Sequence, residues 1–205
     1  MAPAQKLASH IHEPVLVLAL PRGGVPVALP IADALSADFD VLVVRKLGVP
    51  GHEELAFGAI AGGEPLVEVL NRDVISALDL SQAAMNRVRE KERERLESRE
   101  ISLRGERPAA KAAGKTVVIV DDGLATGATM MVAVEAIRMR SPRRIVVAAP
   151  VAPPGAVDRL REVADRVVCD QILLHFRGVG AWYADFSRLS DRDVRKVLDD
   201  YWAAE

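Results

Sequence analysis

The sequence predicts an α/β fold with parallel strands, on three observations. Short β-branched runs alternate with helix-like segments, the first run is closed by a Pro/Gly break, and the most apolar run ends on two carboxylates before a turn of small residues. Residues 15–20 form the first strand, ended by Pro21-Arg22-Gly23-Gly24, and residues 25–35 space their apolar side chains as a helix does, with Pro26 suited to a first turn. Residues 39–44 make a second strand. After Arg45-Lys46, residues 47–58 carry Gly and Pro without a period of either kind, and the expectation there is a mobile loop.

Residues 59–61 and 66–70 flank Gly62-Gly63-Glu64-Pro65, the pattern of a small hairpin. A capping-box-like Asp79-x-x-Gln82 opens a predicted amphipathic helix over 79–99, in which Ala84, Met85, Val88 and Leu96 mark a thin apolar stripe among dense charge. Its acids and bases alternate at helical spacing, which favours a solvated, self-paired face over a nucleic-acid element. Strands are then expected at 116–120, 144–149 and 167–169, separated by helices at 128–139 and 154–163; this alternation implies parallel strands with crossover helices. Residues 173–186 break the pattern with two glycines and four aromatics, and a terminal amphipathic helix is expected over about 190–203.

Half of the 205 residues are apolar and no linker divides them, so a single domain over 1–205 is expected. The formal net charge of −2 gives no global reason to expect nucleic acid as a partner, so anion binding must be local. No apolar stretch approaches the roughly 18 residues of a membrane span. The lone Cys169 reads as a buried thiol, and the combination suits a cytoplasmic protein.

The segment from Val117 to Thr129 carries most of the chemistry. Ligands of an open parallel sheet sit beyond the carboxyl ends of its strands, where Asp121 and Asp122 emerge. The turn Ala125-Thr126-Gly127-Ala128-Thr129 offers backbone N–H groups, two hydroxyls and a helix N-terminus to a phosphate. Carboxylates beside a phosphate cradle make sense if they face hydroxyl donors, and a phosphorylated ribose meets both demands. A Walker loop would need a Lys-Ser/Thr pair after Gly127, and Ala128-Thr129 stands there instead.

These residues closely resemble the ribose-phosphate signature of type I phosphoribosyltransferases, and the wording Asp-Asp-x-Leu-Ala-Thr-Gly-x-Thr is especially similar to adenine phosphoribosyltransferases. The resemblance implies a three-layer, doubly wound parallel sheet with a small hood at about 171–188. It implies that Asp121 and Asp122 bind ribose hydroxyls, that Ala125 to Thr129 hold the 5′-phosphate, and that Arg22-Gly23-Gly24 form a pyrophosphate loop, with a non-proline cis peptide expected at Arg22–Gly23 or its neighbour. Arg45-Lys46 resembles the cation pair of a loop that closes over the pyrophosphate. The segment His175 to Phe186 is similar to the hood of 6-oxopurine enzymes, making Phe176 the stacking aromatic and Asp185 the acid near Mg²⁺.

Two departures stand out: Ala125 occupies the place of an acid in hypoxanthine-type enzymes, and Ala56-Phe57 precede Gly58 where adenine-type enzymes carry a glutamate. Glu53 and Glu54 are the nearby candidates for a general base. The expected activity is Mg²⁺-dependent transfer of phosphoribosyl from 5-phosphoribosyl-1-pyrophosphate to a small-molecule base, and a homodimer is compatible with the resemblance. The rival reading is a regulatory protein that senses this diphosphate or a nucleotide without turnover.

Overall fold

The structure, a computed structural model, describes residues 14–187 and 189–204. Five parallel strands form the main sheet: β1 (Val15–Ala19), β2 (Asp38–Val41), β6 (Thr116–Val120), β7 (Arg144–Ala152) and β8 (Arg166–Ile172), in the order β2-β1-β6-β7-β8. Its central strands are buried on both faces, which is why they read as unbroken apolar runs rather than alternating ones. Side chains still alternate: Val15, Val17, Ala19, Val118 and Val120 face one cluster, Leu16, Leu18, Val117 and Ile119 the other.

Helices cover both faces. On the first lie α1 (Gly24–Leu35), α3 (Gln82–Arg104) and α6 (Asp191–Ala203), through Ile31, Leu96, Leu103, Val194 and Leu198. On the second lie α4 (Ala128–Arg138) and α5 (Pro154–Val163), through Met130, Ile137, Val157 and Leu160. The short α2 (Arg72–Ala77) precedes α3. The terminal helix starts on a capping box in which the Ser190 hydroxyl and the Asp193 carboxylate each accept from the other's backbone, and the side chains of Tyr201 and Trp202 donate to the Ala37 and Phe39 carbonyls.

The stretch expected to be a mobile loop is instead a hairpin. Strands β3 (Val44–Val49) and β4 (His52–Ala61) pair antiparallel across a turn at Pro50-Gly51, and β5 (Val67–Leu70) completes a three-stranded sheet with β4. Register shifts around Gly48 break the period that would have revealed β3, yet Leu47, Val49 and Phe57 are buried in the core beside α3. The run 39–44 is therefore two elements, because the chain leaves the main sheet after Val41 and enters the small one at Val44.

Helix α3 begins later and ends later than the sequence suggests. Ser81, not Asp79, accepts from the first turn at Ala84, and the helix runs on to Arg104. Its arginines do more than pair along the helix. Arg93 does bond Glu97, but Arg89 reaches Glu68 of β5 and Arg104 reaches Asp40 of β2. Cys169 is half-buried on β8, with Sγ 3.3 Å from the Gln171 carbonyl, rather than fully enclosed. Among the described residues no helix is long and apolar enough to cross a membrane.

Candidate active site

The sheet order places β1 beside β6, so the two loops that follow these strands meet at one end of the sheet. The connection from β1 leads to a strand on one side and that from β6 to a strand on the other, which opens a crevice between them. Their contact is close. A Cβ added to Gly23 would lie 1.8 Å from Asp122 Oδ2, and one added to Gly24 would lie 2.5 Å from the Val120 carbonyl. At Gly24 the obstacle is backbone, which excludes a side chain, and at Gly23 a side chain would displace the Asp122 carboxylate. The peptide Pro21–Arg22, the neighbour of Arg22–Gly23, is cis, within the expectation.

Asp121 and Asp122 are half-buried, and the Asp122 N–H donates to Asp121 Oδ1 at 2.9 Å. Burial, and then the neighbouring Asp122 charge, push the Asp121 carboxyl up to about 7. Burial also raises Asp122, against the hydrogen bonds it receives. A pair so arranged gains when hydroxyl donors satisfy it. Beyond it, Gly127 adopts φ +75° and opens α4, and the Thr126 and Thr129 side chains stand exposed at the helix start. The Thr126 hydroxyl accepts from Ala128 N–H, and Arg159 of α5 donates to the Thr126 carbonyl. The turn is thus fixed from behind while its front stays open.

A cavity of about 480 Å³ joins the loop Pro21 to Gly23, Val43 to Arg45, Arg99, Asp122 and the segment Tyr183 to Ser187. Arg22, Arg45, Gly23, Asp122 and Asp185 thus converge there as the sequence suggests. Phe176 is not among the residues lining this cavity; Tyr183 and Phe186 are, their ring centroids 5.2 Å apart. Tyr183 Oη donates to the Asp122 carbonyl at 2.6 Å, and burial, then the two aspartates, raise its pKa to about 12. The stretch of aromatics was visible in the sequence, but which of them faces the site depends on the 3₁₀ turn Val179–Trp182 and on Gly180, whose missing side chain leaves room for Phe186.

The expected cation pair is divided. Arg45 and Lys46 are neighbours on strand β3, so their side chains leave opposite faces. Arg45 lines the first cavity, its Nε and Nη2 donating to Glu92 of α3 at 3.0 and 2.7 Å. Burial works to raise Glu92, but the hydrogen bonds from Arg45 and Arg95 outweigh it and hold this carboxyl below its usual range. Lys46 lines a second cavity of about 610 Å³ with Glu54, Ala128 and Thr129. Glu54 therefore does not share a cavity with Asp122, nor do Ala128 and Thr129 of the turn expected to hold the phosphate, and the Glu53 side chain lies outside the described residues. Among the described residues no group of three His, Cys, Asp or Glu could by itself hold a metal ion.

Residues 3–185 match the model of the phosphoribosyl transferase domain. The chain belongs to this family. Two Mycobacterium tuberculosis proteins, from strains CDC 1551 / Oshkosh and ATCC 25618 / H37Rv and each provisionally named a phosphoribosyl transferase, are 46% identical to it over 196 residues. That alignment takes in 96% of this chain and 44% of theirs, so the chain spans less than half the length of the curated relatives it matches. The crystal structure of TT1426 from Thermus thermophilus is 42% identical and superposes with a TM-score of 0.85 over 97% of this chain and 93% of that one. The family's α/β sheet is thus shared by a relative of similar size.

Proposed function

We propose that this domain transfers the phosphoribosyl group of 5-phosphoribosyl-1-pyrophosphate to a ring nitrogen of a small-molecule base, releasing pyrophosphate. One observation carries the reading: the Arg22-Gly23-Gly24 loop is pressed against Asp122, so closely that a Cβ at Gly23 would displace its carboxylate, where β1 and β6 end side by side. A sugar whose hydroxyls donate to Asp121 and Asp122 then has its 5′-phosphate at Ala125 to Thr129 and its diphosphate at Arg22 to Gly24. The nitrogen lone pair forms a bond to ribose C1 as the C1–O bond breaks, its electron pair leaves on the diphosphate, and the nitrogen's proton passes to water. The chain contributes positioning and charge at the leaving group, through Arg22 and Arg45.

The donor set fits Mg²⁺ best as a shared ion: the cavity offers hard carboxylate oxygens but, among the described residues, no protein-only cage. Asp185 is the residue that would hold it, and the ion would neutralise charge on the departing diphosphate. A planar base would lie against Tyr183 and Phe186, the aromatics that line the cavity.

A second reading, a sensor of the same diphosphate without turnover, is favoured by the engagement of Arg45 with Glu92. Incubation with 5-phosphoribosyl-1-pyrophosphate, Mg²⁺ and a panel of purine and pyrimidine bases, with pyrophosphate release as readout, separates the two. Release that depends on one base supports the enzyme. Calorimetric binding of the diphosphate with no release for any base supports the sensor.

A further inference from the structure

Helix α3 reads in sequence as a self-paired solvent face, and a surface ion pair contributes little to stability. Arg99 departs from that description. It lies far along the chain from the other cations of the first cavity, yet it lines that cavity with Arg22 of the β1 loop and Arg45 of β3. Three guanidinium groups from three elements therefore border one space of about 480 Å³, next to Asp122 and the Gly23 backbone.

Each of these arginines faces an anion supplied by the protein. Asp191 Oδ1, in the first turn of α6, stands 3.1 Å from Arg99 Nη2 and 3.9 Å from Arg22 Nη1. Glu92 engages Arg45. Arg22, Arg99 and Asp191 are all about one-third exposed, so a solute can reach this group. A single carboxylate shared between two forks leaves most of their N–H groups unmet, whereas a diphosphate presents several oxygens and more charge in the geometry that guanidinium groups match.

We propose that Arg99 is a ligand-binding residue that, with Arg22 and Arg45, receives the diphosphate, and that Asp191 holds the place of that anion until it arrives. The inference rests on the phosphoribosyltransferase reading and adds to it a residue from α3, an element that the ribose-phosphate signature does not include. It also gives the Arg22–Asp191 contact a role: the acid holds two like charges together and competes with the incoming ligand.

The test uses inorganic pyrophosphate and ribose 5-phosphate as separate calorimetric probes of the whole chain. Arg99→Ala should weaken pyrophosphate binding by roughly tenfold or more, the loss of one charge-assisted contact, and leave ribose 5-phosphate unchanged. Arg99→Lys, which keeps the charge and loses the fork, should fall between. Asp191→Asn should tighten pyrophosphate binding, because the competitor is neutralised. Wild-type pyrophosphate affinity in Arg99→Ala would overturn the proposal, as would an equal loss for both probes or a weakening in Asp191→Asn. A wild-type chain that binds neither probe would instead overturn the phosphoribosyltransferase reading.

Discussion

Replacing Gly23 by alanine inserts one methyl group between the β1 loop and Asp122, and the structure sets its cost. The backbone at Gly23 is right-handed helical (φ −62°, ψ −35°), so alanine adopts it without penalty. The new Cβ would stand 1.8 Å from Asp122 Oδ2 and 2.5 Å from its Cγ, while its nearest approach to the Asp122 Cβ is 3.1 Å. The clash therefore falls on the end of a side chain that can rotate away, at about 0.5–1.5 kcal/mol for an unfavourable rotamer. What rotation removes is a carboxylate from the place where a sugar hydroxyl would donate, worth about 1.5–3 kcal/mol for a charged hydrogen bond, or roughly ten- to a hundredfold in affinity. Gly24→Ala makes the contrast, since its Cβ meets the Val120 carbonyl at 2.5 Å, a backbone atom that cannot rotate aside. Overpacking there should cost stability of about 1–3 kcal/mol. Calorimetry with ribose 5-phosphate and urea unfolding of both variants separate binding from folding. If Gly23→Ala keeps wild-type affinity, Asp122 does not hold the sugar and the site is misassigned.

Asp121 is pushed from its ordinary 3.8 to about 7, so the folded state holds this proton more tightly than the unfolded one. Its contribution to stability is fully present below about pH 4 and is lost as pH rises to about 7; the urea midpoint of Asp121→Asn should lack that decline, and parallel profiles would refute the shift. Phe186→Ala should weaken binding of a nucleoside monophosphate by about 1–3 kcal/mol, the worth of one stacked base, while Phe176→Ala should leave it near wild type, and the reverse order in titrations would return the stacking role to Phe176. Arg104 is buried with Asp40, donating also to Glu100 and the Val41 carbonyl, so Arg104→Met should cost about 3–5 kcal/mol in urea unfolding by leaving the Asp40 charge uncompensated.

The main sheet was legible because strands buried on both faces write themselves as apolar runs, and the β6 turn because Asp121 to Thr129 are contiguous. What escaped was whatever depends on partners distant in sequence. Arg99 meets Asp191 across 92 positions and Arg104 meets Asp40 across 64, while the nearer acids of α3 offered a simpler pairing at helical spacing. The hairpin β3–β4 was hidden by its own bulge at Gly48, which shifts the alternation partway along the strand. The pairing of Arg45 with Lys46 failed for a geometric reason: the two read as one cationic unit until a strand turns them to opposite sides. The Tyr183 hydroxyl had no sequence signal, because its acceptor is a backbone carbonyl.

The junction of β1 and β6 has a consequence for when the site comes into being. Val15 to Ala19 pair with Thr116 to Val120, so about half the chain, including the small sheet and α3, lies between the two strands that bring the β1 loop to the aspartates. Each half of the chain carries only one wall of the crevice. A nascent chain released before β6 would present Gly23 and Gly24 to water with nothing opposite. If the crevice holds the proposed diphosphate, that ligand supplied during refolding should leave the early steps untouched and slow only the reverse, unfolding direction.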